Sequence, residues 1–430
     1  MNLADHLVTS LTSDTFELIR LVKADAERLG FPLYIIGGSV RDLMLNSSIK
    51  DFDLTVEGDA IKLARSLAKR HGGKVTVHAK FGTAKWFLPK ELVHSTEAVD
   101  LISARSETYA QPAALPTVQV GSMDGDIRRR DFTINTLAIR LDDPHFGELR
   151  DDLNGIEDLK AGIVRVLHPH SFIDDPTRMY RAVRYAERYG FELADDTLAL
   201  IPEARGFIKE LSAQRIRHEL DLILEEWSAA TALTHLCELD LLRPIHPALT
   251  CDKVAHARLA DLHTYRGLQH LSPWNVTMGE QMNPSDLGWL LWLMSLSKEE
   301  IASLNKRLHF TADLLASLFA VSMMFKDLPE FVGLKPSECV ERLESFPVNA
   351  VEAMGYVIED LQVKELFNEY ISMWRYVKPH ISGDDLKERG LQPGPRYAVI
   401  LRQLRNAWLD GEIKTEEEEE KLLERLLSLK

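Results

Sequence analysis

Between Tyr34 and Asp53 the chain reads YIIGGSVRDLMLNSSIKDFD, which ends a strand in two glycines, opens a short helix and then sets two aspartates one residue apart. Tyr34, Ile35 and Ile36 are strand formers. Gly37 and Gly38 follow, where backbone without a Cβ can come close to a phosphate. The spacing predicts a helix over 39–45 with Ser39 in its first turn, where unpaired amides and the positive end of the helix dipole face an anion. On the next strand, Asp51 and Asp53 share a face, about 6.5 to 7 Å apart at Cα, so both carboxylates can converge on divalent cations. Alone, a Gly-Gly pair is a turn and Asp-x-Asp a solvated strand end. In this order they point to metal-assisted nucleotidyl transfer.

That order resembles the nucleotidyltransferase superfamily to which DNA polymerase β belongs. Three further segments narrow it: RRRDFTINTLAI at Arg128 to Ile139, DLNGIEDLKAGIVRVL at Asp152 to Leu167, and FIDDPTRMYRAVRYAERYGF at Phe172 to Phe191. With ISGDDLKERGLQPGPRYAVIL at Ile381 to Leu401, they resemble class II tRNA nucleotidyltransferases, the CCA-adding enzymes and their poly(A) polymerase relatives. The resemblance implies an α+β chain, a small mixed sheet forming a catalytic head over 1–168. An all-α neck (169–227), body (228–330) and tail (331–430) would follow. It also implies Mg2+ as cofactor, tRNA as partner, and CTP and ATP as substrates. The expected reaction is addition of CMP and AMP to the tRNA 3′ end with release of pyrophosphate. Relatives that add only CC, only the final A, or poly(A) share these motifs, and a non-catalytic RNA-binding protein is the alternative from another class.

Composition bounds the reading. The chain has 430 residues, 45% hydrophobic and 27% charged, enough for two to four domains. Its apolar runs are short and the first fifteen residues lack a basic end before an apolar core, so neither a membrane span nor a signal peptide is expected, and the placement expected is cytoplasmic. Cys237, Cys251 and Cys339 are scattered, which reads as reduced structural cysteine without zinc. The net charge of −15 does not exclude RNA, because affinity follows local arginines that displace counterions. Arginine is dense at 128–130, at Arg178, Arg181, Arg184 and Arg188, and at Arg205, Arg215 and Arg217, a candidate phosphate-facing surface. The five glutamates at 416–420 read as a solvated helix face.

Periodicity predicts helices over 16–29, 59–71, 172–191 and 214–226, and strands over 74–78, 84–88 and 98–104, with strand patterns vanishing after about residue 172. The breaker-rich segment 272–285 reads as a loop or junction.

Site roles follow by resemblance. Asp51 and Asp53 would hold the metals, and Asp100 is either a third metal carboxylate or a structural acid at the strand edge. Arg41 would pair with phosphate and Asp42 fix the loop. Arg130, Asp131 and Asn135 would hold the triphosphate and the ribose 2′-hydroxyl, Arg181 lying with the nucleotide-binding set, while Phe132, Ile134 and Leu137 are core. At 174–178 the family's EDxxR reads DDPTR, the first glutamate replaced by Asp174. Asp175 and Arg178, three apart on one helical face, would read the Watson–Crick edge of C or A, each offering an amino donor and a ring-nitrogen acceptor. The other reading of that pair is a capped helix start. Arg215, Arg217 and Glu219 would brace that helix. In the tail, Gly383, Asp385, Gly390, Pro393, Gly394 and Pro395 shape a turn, and Arg396, Arg402 and Arg405 are candidates for RNA phosphate contact.

Overall fold

The computed structural model describes residues 1–47, 53–92, 96–262, 264 and 282–428. It divides into two compact units, Met1–Arg215 with Glu238–Pro244, and Ile216–Cys237 with Ile245–Lys430.

The first unit is built on a seven-stranded mixed sheet. Its strands are β1 (Leu33–Ile36), β2 (Asp53–Val56), β3 (Lys74–His78), β4 (Thr83–Phe87), β5 (Ala98–Ser103), β8 (Ala138–Arg140) and β9 (Leu149–Arg150), in the order β3-β4-β5-β2-β1-β8-β9. A hairpin of β6 (Arg105–Thr108) and β7 (Thr117–Val120) lies between β5 and β8 in the chain. β1 is buried at all four positions, whereas β5 alternates, burying Val99, Leu101 and Ser103 and turning Asp100 outward. Period-two alternation of this kind is how a strand with one covered face reads in sequence. The Ala60–His71 helix covers β3 to β5 with Ala60, Leu63, Ala64 and Leu67, and the Ser13–Leu29 helix packs on it. Side-chain caps from Asp59 and Thr12 start these helices, and Gly30 at φ +71° ends the second.

The structure departs from the sequence expectation at two places. The helix read over 172–191 is two helices, Ser171–Asp174 and Thr177–Tyr189, with Asp175 extended at φ −137° between them. Pro176 forces the break, since the residue before proline is pushed out of the helical region. Strand structure also does not end at residue 172: β11 (Glu192–Leu193) pairs in parallel with β10 (Ile163–Val164). Two-residue strands carry no periodic signal.

The second unit is helical among its described residues. Its Pro284–Leu293 helix is apolar nearly all round, with Leu287 to Leu293 buried. Gly288 lets it approach the Ala213–Glu225 helix, because a Cβ there would sit 2.9 Å from Cβ of Leu224. Nε1 of Trp289 donates to Asp221 at 2.6 Å. Most of the breaker-rich 272–285 segment lies outside the described residues; within it, Asn283 caps this helix. Among the described residues no helix is long and apolar enough to cross a membrane. The three cysteines are free thiols, and no cluster of three metal-ligating side chains occurs among the described residues.

Candidate active site

β1 delivers the chain into the Gly37–Gly38 turn, where Gly37 adopts φ +81° and ψ −127° and its N–H donates to the carbonyl of Leu137 at 2.9 Å. A Cβ on Gly37 would lie 2.3 Å from Nη1 of Arg130. The positive φ therefore favours glycine, and a Cβ there would displace the tip of the Arg130 guanidinium.

The Gly38–Met44 helix turns Arg41 inward, where it is only 4% exposed. Nη1 of Arg41 donates to Oδ1 of Asn135 at 2.6 Å, and Nε and Nη2 donate to Oδ1 of Asp42 at 3.0 and 2.9 Å. The guanidinium lies over the rings of Tyr189 and Tyr185, 4.6 and 5.1 Å from their centroids. Nδ2 of Asn135 donates to Oδ1 of Asp131 at 2.9 Å, and Oδ2 of Asp131 accepts from Nε and Nη2 of Arg181 at 2.9 and 2.7 Å. A continuous chain Arg41–Asn135–Asp131–Arg181 thus ties the helix after the Gly-Gly turn to the RRDFTIN segment and to the Thr177–Tyr189 helix. Burial by itself would push the Asp131 carboxyl up. Arg181, with the Asn135 amide, outweighs burial and holds it down at about 2.

Arg130 donates from Nη2 to Oδ2 of Asp126 at 3.0 Å and from Nη1 to the Asn135 carbonyl at 3.4 Å, while its buried Nε has no partner among the described residues. A guanidinium held on one edge with a donor left over is suited to an anion that arrives later. Phe132, Ile134 and Leu137 are fully buried core.

Arg178 and Asp175 do not occupy successive turns of one helix, because Asp175 precedes the proline break. Oδ1 of Asp175 accepts from the N–H and hydroxyl of Thr177 at 2.9 and 2.6 Å and from Nη2 of Arg215 at 2.6 Å. Nη1 of Arg178 donates to the Ser171 hydroxyl at 2.7 Å, and Nη2 to the Arg129 carbonyl at 3.0 Å. The Tyr109 hydroxyl lies close enough to feel both side chains. Burial first, then Glu107 and Asp175, push it up to about 12 against the pull of Arg178.

Asp51 lies outside the described residues. Asp53 opens β2 one step beyond the Ile35–Leu54 pair, beside the Gly37–Gly38 turn, and is in parallel register with Asp100 of β5. Registered neighbours project from the same face. Asp100 also accepts from Nζ of Lys85 at 3.0 Å. Two hard oxygen donors side by side, both reaching solvent, fit a divalent cation, with Lys85 as competitor for Asp100.

Of the arginines expected to form a phosphate-facing surface, Arg178 and Arg184 are 5% exposed, and Arg205 pairs with Asp240; Arg128 and Arg188 are exposed. Helical packing, which the charge count does not register, decided between them. In the tail, Arg405 is clamped on Glu344 at 2.7 Å and on the Val377 carbonyl at 2.8 Å. Arg396 donates to the carbonyls of Leu426 and Leu427, and Arg402 is 60% exposed, with Glu341 at 3.4 Å.

Three groups were not singled out from sequence. Asp126, fully buried, holds both Arg129 and Arg130; its i,i+4 spacing to Arg130 was a readable signal. Tyr185 and Tyr189, also four apart, form the aromatic floor under Arg41. Ser171 anchors Arg178 and carried no signal at all.

Residues 33–165 match the family described as "Poly A polymerase head domain", and residues 190–253 match "Probable RNA and SrmB- binding site of polymerase A". The chain is 35% identical to the A-adding tRNA nucleotidyltransferase of Geobacter sulfurreducens over 98% of its own length, and spans 48% of that longer protein. It is 30% identical to the A-adding tRNA nucleotidyltransferase of Halalkalibacterium halodurans, covering 97% of this chain and 94% of that one. Among solved structures, a CCA-adding enzyme in an apo form superposes with a TM-score of 0.83 at 27% identity, covering 100% of this chain and 99% of that one.

Proposed function

The chain belongs to the tRNA nucleotidyltransferase and poly(A) polymerase family, and on that footing we propose that it joins AMP from ATP to the 3′ end of a tRNA, releasing pyrophosphate. The observation that carries this reading is the Arg41–Asn135–Asp131–Arg181 chain beside Asp53, with the unpartnered Nε of Arg130 at its edge. Phosphoryl transfer asks for an aligned nucleophile, neutralised oxygens and a held leaving group more than for covalent help. Arg130 and Arg41 hold triphosphate oxygens, and Asp131 with Asn135 holds the ribose 2′-hydroxyl. Divalent cations, Mg2+ being the one expected, would be held by Asp53 with Asp51 and Asp100, and when bound neutralise the triphosphate and favour the 3′-hydroxyl as nucleophile.

Asp175 and Arg178 select the base. All three bonds to Asp175 fall on Oδ1, which leaves Oδ2 to accept an exocyclic amino group. Arg178 keeps N–H groups beyond those given to Ser171 and Arg129, enough to donate to a ring nitrogen. A and C match that pattern, whereas G and U present its reverse.

Likeness to two A-adding relatives along nearly the whole chain supports addition of the terminal A to tRNA ending in CC. A second reading, the full addition of C, C and A from CTP and ATP, draws on the fold shared with a CCA-adding enzyme. Both readings expect a cytoplasmic protein with tRNA as partner, Arg396 and Arg402 being exposed in the tail for phosphate contact and Arg405 less so. Incubation with tRNA ending at the discriminator base, at C and at CC, each with one labelled nucleotide, separates them. The A-adding reading expects AMP on the CC-ended tRNA alone, the CCA reading expects products from all three, and no product from any would reject both.

A further inference from the structure

The second unit contains a cavity of about 480 Å3, lined by none of the residues given a role in nucleotide chemistry. Its walls are apolar, chiefly Phe325, Pro329, Val332, Ile358 and Val363, and Arg258 is set into them. Arg258 is 9% exposed; its Nε donates to the Val254 carbonyl at 3.3 Å and its guanidinium lies 5.3 Å from the Phe325 centroid, so the group is fixed in place. Nη1 is buried and has no hydrogen-bond partner among the described residues. A desolvated cation with an unused donor is costly, and native proteins seldom leave one without a reason.

We propose that this cavity binds a small apolar molecule carrying a single anionic head group, with the head on Nη1 of Arg258 and the tail along Phe325, Ile358 and Val363. A carboxylate would satisfy the orphan donor and offset the buried charge together. The apolar walls would exclude water from the tail. The volume lies within the range of small-molecule sites. Glu359 and Asp360 stand exposed at the mouth, which favours one negative charge over two, since each further charge on the ligand meets their repulsion.

Decanoate and decan-1-ol differ at the head group and share the tail, so calorimetric titration of the full chain with each tests the proposal. Decanoate should bind with one-to-one stoichiometry, and decan-1-ol roughly tenfold or more weakly. Arg258→Met keeps the apolar stem and should reduce decanoate to the affinity of the alcohol, with far-UV dichroism and the melting curve unchanged. Val363→Trp fills the cavity and should abolish binding of both. Absence of saturable decanoate binding, equal affinity for the two compounds, or decanoate binding undiminished by Val363→Trp would overturn the proposal. If Arg258→Met does not fold, the ratio between the two compounds and the Val363→Trp result decide it.

Discussion

Asp131 takes hydrogen bonds from the Phe132 N–H, the Asn135 amide and two nitrogens of Arg181. Its carboxyl is held at about 2, below the ordinary value of 3.8. A depressed value means that the ionised form stabilises the fold above the ordinary range, and that this contribution is lost as pH falls from about 4 through about 2. Asp131→Asn should therefore lower stability by about 2 kcal/mol at pH 7, and by progressively less toward pH 2, in urea unfolding of the two proteins at matched pH. Asp53→Asn should abolish incorporation while tRNA binding survives, because a carboxylate oxygen is lost and phosphate contacts are not; normal turnover with Mg2+ would remove Asp53 from the metal site. Arg178→Ala should damage nucleotide choice more than overall binding. The preference for ATP over GTP should shrink roughly ten- to a hundredfold, as expected for one charged hydrogen bond. An equal fall in rate for all four nucleotides would make Arg178 a structural residue, held by Ser171 and Arg129 for the sake of the fold.

At the scale of elements, the glutamate run that opens the Glu416–Ser428 helix is divided in its roles. Glu417 is exposed, as a solvated helix face requires, but Glu419 is fully buried. Glu419 accepts from the backbone N–H groups of His380 and Ile381 at 3.2 and 3.0 Å and from Nε1 of Trp408 at 2.8 Å. This carboxylate joins the last helix to the chain entering the Gly383–Glu388 helix and to the Pro395–Leu409 helix. Its removal leaves three donors unmet, that of Ile381 buried and the other two partly so. Glu419→Ala should cost about 2 to 4 kcal/mol and loosen the tail, whereas Glu417→Ala should change stability by less than about 0.5 kcal/mol. Amide hydrogen exchange at His380 and Ile381 would register the difference, and equal protection in the two variants would refute it. Composition treats the five glutamates alike. Only the partners brought by other helices distinguish them.

For the molecule as a whole, a net charge of −15 and an RNA substrate are compatible if positive charge is presented locally. Arg128 and Arg188 in the first unit and Arg402 in the second are exposed. Affinity for tRNA should fall steeply with salt as counterions are released, and a DNA stem-loop of the same sequence should bind less well for want of A-form shape and 2′-hydroxyls. A flat salt dependence would contradict a basic RNA face. From residue order alone came the α+β class, the strand–Gly-Gly–helix–strand order, the assignment to this family and the helices read over 59–71 and 214–226, each within one residue of its observed bounds, because each is written in local spacing or in a long ordered motif. What tertiary structure decided is which charges face which: that Asp131 is bound by Arg181 fifty residues away, that Asp175 pairs with Arg215 and not with Arg178, that Arg184 is interior, and that Glu419 is a buried acceptor. Pairing of charges depends on distances through space between segments remote in sequence, and periodicity, which reports only the face a residue occupies on its own element, carries no information about the partner waiting there.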